Sequence, residues 1–326
     1  MRSATRWSWF TASVAVIGVL VIGGIVFSGC SPATQEPSGP GGASGPEISG
    51  GPAPSEEPAV PAGGEPAKET TSEPAEPVSQ AAELPPAPAV STFAPAADLV
   101  AGVQYYLEEL EEAVETEEEY NDSVEKIGKQ SNTLILVALA LGLHDTDNPL
   151  KTAAPALLKA AQQLAAAEDY AAAKESVAAL KAATSSTEGD PAGLKWEKLA
   201  SLREVMEAVP LLNTRLKRYI RDGREEKMKD AADDLASYSA VVAVIAQGSM
   251  PNTDETEQPT EVGKWQAFCA QMRDAATALN QGIRSFASEG TPEAFGTAKS
   301  ALQELAQSCD DCHNVFHPDG ETEQAE

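Results

Sequence analysis

Between Ala96 and about Pro318, apolar residues recur at helical spacing within stretches rich in Ala, Leu, Glu, Lys and Gln, and strand signals are few. Turn markers at Gly142 to Pro149, Glu188 to Pro191, Asp222-Gly223 and Gly248 to Pro259 interrupt the pattern. They leave eight predicted helices, at about 96–115, 118–142, 150–166, 169–184, 193–221, 224–247, 262–288 and 292–316. The predicted fold is therefore all-α, and helices of this number and length suit two tandem antiparallel four-helix bundles. Residues 31–95 read differently: Pro, Gly, Ala, Ser, Thr and Glu dominate and large apolar residues are almost absent, so no core can form. Fifteen of the 23 prolines fall there, which makes this disordered arm a partly stiff tether.

The helical region repeats itself. Glu168-Asp169-Tyr170-Ala171-Ala172-Ala173-Lys174 parallels Glu293-Ala294-Phe295-Gly296-Thr297-Ala298-Lys299, and the same register sets Val177 against Leu302 and Leu180 against Leu305. Upstream, Leu134-Ile135-Leu136-Val137-Ala138 echoes Ala240-Val241-Val242-Ala243-Val244, each run leading to a Gly and an acidic loop that ends in Pro. Matching core positions at matching intervals predict a tandem repeat.

Charge narrows the partners. The chain carries a formal −27, of which Arg2 and Arg6 give the first thirty residues +2 and nine Glu against Lys68 give residues 31–95 −8, leaving −21 for the remainder. Nucleic acid is excluded as a ligand, because binding it requires Lys and Arg to neutralise phosphates. An acidic carrier is expected to meet a redox partner with a basic docking surface, in an association that salt weakens.

The amino-terminal thirty residues have Arg2 and Arg6 followed by an uncharged run from Trp7 to Ser28, the pattern of an export signal. Phe27-Ser28-Gly29-Cys30 resembles a bacterial lipobox, which makes Cys30 the expected acylation site; uncleaved, the apolar run is long enough for an anchor helix. Both outcomes predict a chain tethered at the periplasmic side of a bacterial membrane.

The chemistry concentrates near the carboxyl end, in Cys309-Asp310-Asp311-Cys312-His313. This C-x-x-C-H spacing is that of covalent haem attachment, with two thiols for the vinyl groups and an imidazole for iron. On a helix the three side chains fall within an arc of about 100°, so all can meet one haem. Cys309, Cys312, His313 and His317 could alternatively gather zinc, though a closed tetrahedral site needs a second ligand pair that the sequence does not supply. A disulfide across two intervening helical residues is strained. The motif has no counterpart in the first half, where Thr184, Thr187 and Glu188 occupy the matching register, so one haem c is expected. Cys269 reads as a buried packing residue, and His144, in His144-Asp145-Thr146-Asp147, as a solvated loop histidine, with a weak metal site shared with those aspartates as the alternative.

From about Leu194 to Pro318 the sequence resembles the cytochrome c′ family, most specifically from Gly290-Thr291-Pro292 through Ser308 to Phe316, with Trp265 and Phe268 where that family places aromatics on the preceding helix. The resemblance implies an antiparallel four-helix bundle with the haem on its last helix. It also implies pairing of bundles, within the chain or as a homodimer. In low-spin members a Met from the first helix is the distal ligand, and Arg203-Glu204-Val205-Met206 resembles that pattern with the Met one position early, a turn of about 100°. His317 stands where a basic residue, often Arg, follows the ligand His. Met228, Met250 and Met272 read as packing or surface residues.

The expected organisation is thus 1–30 export signal, 31–95 disordered linker, 96–187 haemless four-helix repeat, 188–318 haem-binding bundle and 319–326 acidic tail. The expected function is single-electron transfer by a membrane-tethered monohaem cytochrome. Five-coordinate members of the family bind NO or CO, which makes a gas-binding protein the alternative, and a non-haem envelope lipoprotein with a zinc site a third. No hydrolytic constellation is present, so an enzyme is not expected.

Overall fold

A computed structural model describes residues 84–187, 189–221 and 223–317. Among these residues the structure is all-helical without strands: α1 (Ala96–Ala113), α2 (Glu117–Leu143), α3 (Ala154–Ala165), α4 (Tyr170–Ala183), α5 (Leu202–Tyr219), α6 (Glu225–Asp230), α7 (Ala232–Ser249), α8 (Val262–Glu289) and α9 (Pro292–Phe316). Residues 1–83, including the export signal, Cys30 and most of the arm, and 318–326, the acidic tail, lie outside the described residues.

Side-chain caps place several helix starts. Thr116 Oγ1 accepts from the Glu119 amide and Glu119 Oε2 from the Thr116 amide, a reciprocal box that satisfies two otherwise unbonded donors of α2. Asp169 caps α4 and Thr291 caps α9, where Pro292 fills the first helical position. Gly290, at φ 66°, ends α8 in the left-handed conformation that glycine tolerates best.

Two predicted helices are corrected. The segment expected to start near 193 becomes α5 only at Leu202, because the Ser201 amide donates to Asn132 Oδ1 at 2.9 Å and the Leu202 amide to Glu255 Oε2 at 3.0 Å. Those bonds, from α2 and from the loop before α8, satisfy the first donors and fix the start. The segment expected over 224–247 is broken at Ala231 (φ −99°, ψ 11°), which separates the short α6, with Met228 fully buried, from α7.

Helices α1 to α4 pack in chain order and α4 returns to α1, while α5, α7, α8 and α9 pack in order. The two sets join where α1 and α2 lie on α5 and α7, and one continuous apolar core runs through both. Uninterrupted buried runs, Gln130–Gly142 in α2 and Ser239–Ser249 in α7, mark helices enclosed on all sides. The repeat positions Ala173, Val177 and Leu180 and their counterparts Ala298, Leu302 and Leu305 are all buried. A polar network crosses the junction: Asp98 of α1, 1 % exposed, bonds Arg284 and accepts from Asn280 Nδ2 at 2.8 Å. Asn280 also donates to the Ala236 carbonyl at 2.8 Å, and Arg284 reaches Asp233.

α9 packs extensively on α8 alone among the described helices. They approach closely at Gly282, where a Cβ would stand 2.8 Å from the Ala298 Cα and 3.0 Å from its nitrogen. Gly282→Ala is therefore expected to lower stability by about 1–3 kcal/mol, read as a fall in the urea midpoint at unchanged slope.

His144 is not a solvated loop residue. It is 2 % exposed, its Nδ1 accepts from the Thr146 amide at 3.2 Å, and Nε2 therefore donates to the Ala94 carbonyl at 3.1 Å. Asp145 accepts from the Ser91 amide at 2.8 Å and from its hydroxyl, which holds its carboxyl below the usual range. The α2–α3 loop is thus a clamp on the segment entering α1. Phe93 completes that anchorage, with its ring tilted against Trp196, its carbonyl accepting from Thr277 Oγ1, and the Arg273 guanidinium 5.8 Å from the ring centroid.

Candidate functional site

The core-facing stripe of α9 descends through Ala298, Leu302 and Leu305, all buried, and continues at 3.6-residue spacing into Cys309, Cys312 and His313. There the apolar stripe is replaced by two free thiols and an imidazole that the core only half covers, and one turn later Phe316 closes it at 4 % exposure. The three groups share one arc of the helix, as their spacing requires.

α8 walls this opening with aromatics. Trp265 and Phe268 meet Phe316 edge-on, with centroids 5.2 and 6.1 Å apart, and Trp265 Nε1 donates to the Ser249 carbonyl at 2.8 Å. Cys269, one residue beyond Phe268, is buried as expected of a packing residue, and burial, with nearby Cys312 adding, pushes its thiol up.

α5 supplies the opposite side. Asn213 and Lys217 stand beside Cys309, and Asn213 Oδ1 is buried without a hydrogen-bond partner. Met206 precedes Asn213 by seven residues, two turns, so the thioether lies on the same flank of α5 about 10 Å along the axis. It is half-buried against the core. The other flank of α5 is taken up by α2, where Lys129 reaches Glu207 at 3.1 Å.

Burial dominates the electrostatics. It raises the Cys309 thiol and pushes Cys312 up to about 12, with the Cys309 charge adding to the latter. It lowers His313, an effect to which neighbouring His317 adds, the two rings being edge-on at 6.1 Å. His317 is itself held by Glu257. At neutral pH the thiols are protonated and slow to oxidise, and the imidazole keeps a lone pair free for a metal.

This donor set fits a haem: two thiols, one neutral imidazole, an aromatic wall and, beside Cys309, the Asn213 amide, whose unpartnered Oδ1 can accept from a polar substituent. Among the described residues no group of three or more His, Cys, Asp and Glu side chains converges as a metal site. Met228, Met250 and Met272 are buried packing residues, and Met250 Sδ accepts from Gln247 Nε2 at 3.4 Å. A separate cleft of ≈ 520 Å³ lies on the far face of α8, between Pro85–Pro88 and Gly263, Gln266, Ala267 and Ala270. None of the motif residues lines it.

Neither Asn213 nor Lys217 had a local sequence signal; only tertiary packing brings them to Cys309. Among the described residues no helix is long and apolar enough to cross a membrane. The chain matches no protein-family model, no curated protein and no solved structure.

Proposed function

We propose that the chain is a c-type cytochrome that carries single electrons at the periplasmic face of a bacterial membrane, tethered through an acylated Cys30. On this reading α1–α4 and α5 with α7–α9 are tandem four-helix bundles, the second like cytochrome c′. The observation that carries the reading is the half-covered stripe of Cys309, Cys312 and His313 on α9, set between apolar Leu305 and Phe316. Cys309 and Cys312 would hold the group covalently, and His313, neutral in its buried setting, would be the proximal ligand. A bound haem supplies reversible one-electron exchange at its iron. Asn213 would meet its periphery beside Cys309, and Trp265, Phe268 and Phe316 would exclude water from one side. Met206, on the same flank of α5 as Asn213, is the distal ligand this reading favours.

Expression with haem-attachment machinery tests the reading. The protein is expected to be red, to keep its haem through denaturation and acid–organic extraction, and to give a low-spin ferrous spectrum indifferent to CO. Met206→Ala is expected to convert that spectrum to a high-spin form that shifts with CO. High-spin, CO-responsive iron in the unmodified chain would make it a gas-binding protein instead, and a colourless product would leave an envelope lipoprotein without haem.

A further inference from the structure

Several lysines and arginines of the described residues reach a carboxylate, as Lys126 reaches Glu109, Lys181 Glu111 and Lys198 Asp254. Lys217, Arg218, Arg221, Arg224, Lys227 and Lys229, six cations within thirteen positions, make no ion pair among the described residues, whereas Lys151, Lys159 and Lys174, which make none either, are scattered over the α2–α3 loop, α3 and α4, and Arg215 lies against Tyr105 and Tyr238. Of the six, all but the half-buried Arg224 are exposed. The stretch begins at the end of α5, with Lys217 beside Cys309, and runs through α6 to Lys229, whose Nζ is 3.7 Å from where a Cβ on Gly290 would stand. Glu225, Glu226 and Asp230 carry opposite charge on α6, and Asp310 adjoins Cys309 on α9.

This cationic corner sits on a strongly acidic body, since residues 84–317 hold 20 Lys and Arg against 37 Asp and Glu, a net −17. We propose that the α5–α6 corner is the docking surface for an acidic single-electron partner protein, which it brings against the Cys309 edge of the haem site. The proposal rests on the haem reading given above. Total charge alone points to a basic partner, but such a partner finds favourable acidic surface on many faces remote from α9. An acidic partner is repelled by all of those faces and drawn to this corner, so the uneven distribution orients it.

The test uses the full haem-loaded chain and, as probe, an acidic plant-type [2Fe–2S] ferredoxin reduced by a light pulse. The second-order rate of haem reduction is expected to fall with added salt. R218E/R221E/K227E is expected to lower it about tenfold or more at low ionic strength. Haem content, reduction potential and the rate with dithionite are expected to stay unchanged. A rate indifferent to salt and to the triple variant overturns the proposal, as does a triple variant that loses rate only with a basic cytochrome c as probe. Binding of phosphatidylglycerol vesicles at this corner without response to ferredoxin also overturns it, in favour of a lipid contact. Attraction of ferredoxin only after deletion of residues 31–83 overturns it too, in favour of the chain's own acidic arm. A colourless chain defeats the haem reading separately. Salt-sensitive ferredoxin binding to that colourless chain, abolished in R218E/R221E/K227E, would keep the surface as an acidic-protein site, and its absence would sink the surface as well.

Discussion

Replacing Cys309 and Cys312 together by alanine is expected to abolish covalently retained haem while leaving the helices intact. On the haem proposal each thiol would provide one bond to the porphyrin edge, so either single variant should keep a haem through denaturation, with a shifted absorption band. The double variant should show none on a denaturing gel stained for haem peroxidase activity. The fold tolerates the change because both thiols are only half-covered, and removing a sulfur from such a position forfeits about 1 kcal/mol or less of packing. Circular dichroism at 222 nm is the control, and it should match the parent protein prepared without haem. A double variant that stays red after acid–organic extraction would place the attachment elsewhere.

Asp98→Ala is expected to produce the largest loss of stability of any single change outside the apolar core, about 3 kcal/mol. The carboxylate is buried and serves two partners from α8, Asn280 and Arg284, so its removal strands an amide and weakens the anchorage of a guanidinium. Breaking a buried charged pair from one side typically costs about 3–5 kcal/mol. The lower end applies because the Arg284 side chain is 40 % exposed and keeps Asp233, so water and a second carboxylate relieve part of the deficit. Arg203→Ala is the contrasting control. Its pair with Glu207 is an exposed i,i+4 contact, and its loss should leave the denaturation midpoint essentially unchanged.

Where local chemistry decided the structure, the sequence was readable. α9 runs from Pro292 to Phe316 as predicted because Thr291-Pro292 specify a start, and α8 stops at Gly290 because that residue adopts a left-handed conformation. Where distant groups decided it, the local pattern misled. The start of α5 depends on Asn132 and Glu255, more than fifty residues away on either side. Ala231 breaks a helix without any Gly or Pro to announce it. His144 lies among polar neighbours in the chain, yet Ala94 and Thr146 enclose it. The site divides the same way: the C-x-x-C-H spacing is visible in one dimension, whereas periodicity cannot say which polar flank of α5 meets α9. That is why Asn213 and the unpaired cations from Lys217 onward emerged only from the packing.

The clamp on the segment entering α1 has a mechanical consequence for a chain held by its amino-terminal end. Tension applied upstream of Leu84 is delivered first to Phe93 and Ala94, whose carbonyls are gripped by Thr277 of α8 and by His144 of the α2–α3 loop. Trp196, from the connection before α5, braces the Phe93 ring. The load is therefore shared among elements far apart in sequence, and α1 is shielded from being peeled away one turn at a time. If the chain is tethered as proposed, a pull from that end would reach the helices that shape the α9 site only after this clamp gives way.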